Sequence, residues 1–152
     1  VYLAELNIAF PKLERDDPKF AFFFDNIDKI NNLASRMDGF VWRYGEDGKD
    51  LPPDQTPWPN AVVNMSVWEN PKGLEHFVWN TVHKNIYDRK EEWFEAIESH
   101  FFAMWWVEEG HVPTLDEAKI RLDRLNEEGN SEFAFGWSHL PNVKLWQQQR
   151  CG

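Results

Sequence analysis

Cysteine is almost missing from this chain: its 152 residues hold one, Cys151, beside the C-terminus. No disulfide can form within the chain, so stability must come from a packed core, and a reducing compartment such as the cytoplasm is the simplest setting. Positive charge is scarce too, with 16 Lys and Arg against 26 Asp and Glu and a net charge of −10. Phosphate backbones and anionic bilayers are bound by clustered cations, so nucleic acid and membrane surfaces are disfavoured as partners. No apolar run reaches the roughly 18 residues of a spanning helix. The N-terminus lacks the basic-then-apolar pattern of a signal peptide, so none is expected. Metal-protease, zinc-ribbon, phosphate-loop and dinucleotide motifs are all missing, which disfavours metal hydrolysis and nucleotide chemistry.

What the chain does have is aromatic mass: 16% of the residues, including nine Trp and twelve Phe. That suits a large core or an aromatic-lined cavity and excludes a disordered chain. The length fits one domain, assigned to residues 1–138, with 139–152 as a tail.

Tyr2 to Ala9 alternates with period two, so it reads as a strand. Asp16-Asp17-Pro18 opens a helix whose apolar positions, Phe20, Phe23, Phe24, Ile27, Ile30 and Leu33, recur at helical spacing to about Met37. Phe40 to Tyr44 and Ala61 to Trp68 are strands, separated by a Gly-, Pro- and Asp-rich loop from Gly45 to Asn60. That connection is long for a structureless one, which favours a lid, a partner contact or disorder. A helical region from Lys72 to Glu98 follows, with a break expected near Trp79 to Val82. Phe101 to Val107 is the fourth strand. Thr114 with Glu117 makes a capping box for a helix from Leu115 to Glu128, stopped by Gly129. Phe133 to Trp137 reads as a short fifth strand.

The order β-α-β-β-α-β plus a helix is α+β and ferredoxin-like, with helices against one face of an antiparallel sheet. The other face needs a cover, and a second copy of the chain is the expected one, giving a homodimer. Strand parity divides the polar residues. Ala4, Leu6 and Ile8 should meet the helices. Glu5 and Asn7 then share the other side with Asn64, Ser66 and Trp68, and the polar match adds Arg43. Two readings follow. Glu5 and Arg43 form a buried pair with the amides bridging strands, or the group lines a cavity for a small molecule, with polar groups converging among aromatics. In the second reading Asn7, Asn64, Trp68, Trp42 and Tyr87 hold the ligand and Arg43 steadies a developing anion. Asn80, His83 and Tyr87 can share one helix face, which makes His83 a candidate acid or base. His100 and His111 flank the fourth strand and read as loop residues.

Several segments also resemble a bacterial family known as domain of unknown function 3291: Leu3 to Ala9, Gly39 to Arg43, Val63 to Glu69, Trp105 to Val107, His83 followed by Arg89 to Phe94, and Gly110 to Thr114 leading into Glu117-Ala118. The resemblance covers roughly residues 2 to 136. That family is similar to the dimeric α/β-barrel superfamily, which includes cofactor-free antibiotic-biosynthesis monooxygenases and haem-degrading enzymes. The resemblance implies the fold and dimerisation, and leaves the reaction open. The leading expectation is a monooxygenase-like pocket for a small aromatic or enolisable molecule, with no dedicated metal or cofactor. The alternatives are haem binding with His83 as axial ligand, since Asn80 and His83 echo a helix motif of the haem degraders, and a non-catalytic dimeric binding protein.

Overall fold

The computed structural model describes residues 1–14, 16–79, 89–95 and 100–141. Four strands form one antiparallel sheet in the order β2-β3-β1-β4: β1 is Tyr2–Ala9, β2 Phe40–Arg43, β3 Val62–Trp68 and β4 Phe102–Val107. Among the described residues the α-helices are α1, Ala21–Ser35, α2, Pro71–Val78, and α3, Leu115–Glu128. Each of the last two starts where a side chain satisfies an orphan amide: Asn70 accepts from Gly73 N at 3.0 Å, and Thr114 from Glu117 N at 3.1 Å. Gly129, at φ 76°, ends α3 in the left-handed region, with its N–H on the Leu125 carbonyl.

The pleat sorts residues as alternation predicts. Leu3, Glu5 and Asn7 stand opposite Trp68, Ser66 and Asn64 on β3, so all six share one face. Ala4, Leu6 and Ile8 share the other with Val67, Met65 and Val63.

Which layer covers which face is the reverse of the sequence expectation. The Ala4-Leu6-Ile8 face forms one core with α3, through Leu115, Ala118, Leu122 and Leu125, and with Trp58 and Ala61 from the loop after β2. The face bearing Glu5 and Asn7 is backed by α1 and α2 instead: Leu3, Trp68 and Met104 pack with Ile30, Ala34, Leu74 and Phe77. Farther along, Val62 packs with Phe20 and Phe23. Among the described residues both faces of the sheet thus carry segments of the chain itself, so a bare sheet face no longer argues for the expected homodimer. Close approach of α2 depends on Gly73, where a Cβ would lie 2.9 Å from the Asp38 carbonyl oxygen and 3.1 Å from the Trp68 ring.

Other elements differ from expectation in local ways. α2 ends at Val78, near the expected break, and Lys90–Glu92 is a single 3-10 turn rather than a continued helix. The connection after β2 is organised: Pro53–Gln55 is a 3-10 turn, and Thr56, Trp58 and Ala61 are buried. In place of a fifth strand there is one bridge, in which Phe135 and Met104 exchange backbone hydrogen bonds of 2.8 and 3.0 Å. That bridge, with Trp137 stacked on Phe102, shields the free edge of β4. Leu140, placed in the tail from sequence, is buried in the α1–α2 core. No helix among the described residues is long and apolar enough to cross a membrane.

Candidate functional site

Register places the polar side chains in two rows across the α1–α2 face. The first runs Arg43, Ser66, Glu5, Met104 from β2 to β4, and the second holds Asn64, Asn7 and Phe102. The expected Glu5–Arg43 pair does not form. The sheet order inserts β3 between their strands, and two strand spacings of about 4.8 Å hold the backbones roughly 10 Å apart. Ser66 occupies the gap.

Ser66 carries a short relay. Its hydroxyl donates to Glu5 Oε1 at 2.7 Å and accepts from Trp68 Nε1 at 2.9 Å. Burial pushes the Glu5 carboxyl up to about 8, against the smaller lowering effect of the Ser66 hydrogen bond. Near neutral pH Glu5 is therefore mainly a carboxylic acid. With Ser66 donating to Oε1, the proton belongs on Oε2.

The neighbours of this relay are under-satisfied. Arg43 is half-buried, and its Nε is sealed from solvent without a hydrogen-bond partner. Asn7 and Asn64 are half-buried register partners, and neither side-chain amide bonds to another described residue. Buried polar groups are normally paired, so the sealed Arg43 Nε is an exception, and with the two solvent-reaching amides of Asn7 and Asn64 on the same face it marks a place suited to a polar ligand or ordered water.

The remaining candidates divide plainly. Trp68 is fully buried, stacked on Phe77 with ring centroids 5.6 Å apart, and belongs to the core as well as to the relay. Trp42 pairs with Val67 and so points to the α3 face, away from Arg43, because a bulge near Val41 resets the alternation of β2. There it lines a cleft of about 300 Å³ with Tyr44, Leu51, Val112 and Pro113. Another groove, of about 420 Å³, lies at the start of α2 among Asp38, Gly39, Glu69 and Gly73. Neither depression contains the polar rows, and unsatisfied chemistry is a better guide to a site here than depth. Asn80, His83 and Tyr87 lie outside the described residues, and with them the haem-ligand expectation. His111 bonds Glu117 at 2.7 Å, and Glu117 also accepts from Trp105 Nε1 at 2.8 Å. This tie between β4 and α3 was not anticipated from sequence, although the Thr114–Glu117 cap places that carboxylate at the helix start.

A family model described as Domain of unknown function (DUF3291) matches residues 2–151. No curated protein matches the chain significantly. Among solved structures, a conserved protein from Methanosarcina mazei Go1 is 10% identical, with a TM-score of 0.52 over 71% of this chain and 94% of that one. A protein of unknown function from Nitrosomonas europaea is 10% identical, with a TM-score of 0.49 over 74% of this chain and 95% of that one. A protein from Chloroflexus aurantiacus J-10-fl, described provisionally as an antibiotic biosynthesis monooxygenase, is 13% identical, with a TM-score of 0.47 over 74% and 98%. The first of these shows the fold; at such identity it says nothing about a reaction.

Proposed function

The chain belongs to the Domain of unknown function (DUF3291) family, and on that footing we propose that it binds a small phenolic or enolisable molecule between the sheet and α1. The observation that carries this reading is the sealed, unpaired Arg43 Nε on the same face as the Asn7 and Asn64 amides, which reach solvent and bond to no described residue. A guanidinium favours an oxygen that carries negative charge, and charge-assisted hydrogen bonds are about twice as strong as neutral ones. The two amides supply donors and acceptors that orient the rest of the ligand. Aromatic and aliphatic side chains from α1 and β3 exclude water around it. In the enzymatic form of this reading, a ligand held as its enolate or phenolate is electron-rich enough to react with dioxygen without a cofactor.

Calorimetric titration with a series of substituted phenols, 4-nitrophenol among them, tests the site. Arg43→Met should weaken binding by about tenfold or more. Trp42→Phe, on the opposite face, should change it by less than about twofold. No binding across the series, or equal binding by Arg43→Met and the parent, would refute the assignment. An oxygen electrode with a hydroquinone series then separates binding from turnover.

A further inference from the structure

Binding alone leaves Glu5 without a task. A carboxyl in the middle of an apolar layer is costly, and a glutamine would keep the bond from Ser66 without that cost. The ionisable groups that the described elements bring to this face are few. Arg43 lies in the same row beyond Ser66, and α2 contributes the buried Glu75. Asp25, Asp28 and Lys29 of α1 are exposed to solvent, and β4 offers only Met104 at this level. Ser66, itself held by Trp68, fixes one carboxyl oxygen. The other oxygen has no partner among the described residues and is not among the sealed atoms, and Glu5 keeps 4% of its surface exposed. One fixed oxygen and one open oxygen, on the same face as two amides that bond to no described residue, is an arrangement suited to proton transfer.

We propose that Glu5 exchanges a proton with a weakly acidic hydroxyl of the bound molecule. This rests on the binding site proposed above and adds the ligand's ionisation to it. In the forward step the ligand O–H bond breaks and its proton passes to the open oxygen of ionised Glu5. The electron pair stays on the ligand oxygen, whose new charge faces Arg43. The reverse step restores both partners, and nothing is oxidised or reduced. The complex that binds best holds one proton shared between Glu5 and the ligand oxygen.

The probe is 4-nitrophenol, with its dissociation constant followed by titration across pH. The free probe is already ionised in mildly alkaline solution, so a further pH dependence reports the protein. With Glu5 as the proton holder, Kd for the parent protein rises about tenfold from about pH 8.5 to about pH 9.5, while Kd for Glu5→Gln stays level. Ser66→Ala, which removes a hydrogen bond that favours the charged form, moves the bend to higher pH; it keeps the test decisive if Glu5→Gln fails to fold. Identical pH profiles for the parent and both variants, with Arg43→Met still deficient, would overturn the role of Glu5 and leave the binding site intact. Absence of binding by the parent would overturn both.

Discussion

On the α3 side of the sheet, Leu6, Met65, Val67 and Trp105 are sealed among apolar partners, and the one polar atom of the group, the Trp105 indole nitrogen, has an acceptor in Glu117. One pleat away, on the α1–α2 side, the same strands carry Glu5, Asn7, Asn64 and Ser66 beneath two helices. The two faces are built from alternate residues of one backbone, so propensity and chain direction are shared, and only the side chains differ. Apolar closure of the α3 face is what packing for stability produces. The other face carries a buried acid and the sealed, unpaired Arg43 Nε, which packing alone would have removed, and such exceptions collect where a protein does something besides fold.

The largest test of that contrast is the pH dependence of stability. Glu5 titrates at an ordinary value in the unfolded chain and at about 8 when folded. The folded state therefore binds the proton more tightly. The stability associated with neutral Glu5 is fully present below the unfolded value of 4.5 and is lost steadily as pH rises toward about 8. Across that window the loss amounts to about 5 kcal/mol. Glu5→Gln should abolish this component, so the variant overtakes the parent progressively and is the more stable protein above about pH 8. Urea denaturation of both proteins at several pH values measures it. Parallel curves would mean that Glu5 is ionised in a solvated or paired setting, and the contrast between the faces would lose its main support.

The contrast was half legible in the sequence. Alternation in Leu3 to Ala9 and Val62 to Trp68 is enough to group Glu5, Asn7, Asn64 and Ser66, because side-chain direction in a strand depends only on parity. Which group meets α1 and α2 is not a matter of parity. Both sets contain large apolar residues, Leu3 and Trp68 on one side and Leu6 and Met65 on the other, so either could have backed those helices. The apolar stripe of α3, Leu115, Ala118, Leu122 and Leu125, was the neglected signal. Such a stripe must cover something, and the second sheet face was the surface available. The partner of Glu5 was hidden for a different reason. Ser66 comes between Glu5 and Arg43 only because β3 pairs with both β1 and β2, a long-range order that no local pattern encodes.

Exchanging residue types between the faces sharpens the comparison at single positions of β3. Val67→Asn keeps the volume but places an amide in the α3-side core, where only apolar groups surround it. Losing the apolar burial and leaving the amide unpaired should together cost about 3–4 kcal/mol, read as a lower urea midpoint with an unchanged slope.

Three residues earlier on the same strand, Asn64→Leu makes the opposite exchange. If Asn64 served the fold, by bridging to Asn7 or to a helix, the substitution would orphan its partner and cost about 1–3 kcal/mol. No such bond exists: the Asn64 amide has no partner among the described residues, and Asn7 opposite it is equally free. A leucine there leaves no acceptor or donor stranded that was satisfied before. Stability should therefore stay within about 0.5 kcal/mol of the parent, while affinity for 4-nitrophenol falls. A large loss of stability at Asn64 would make the amides structural, and the polar face would then be a second core that happens to be built from polar groups.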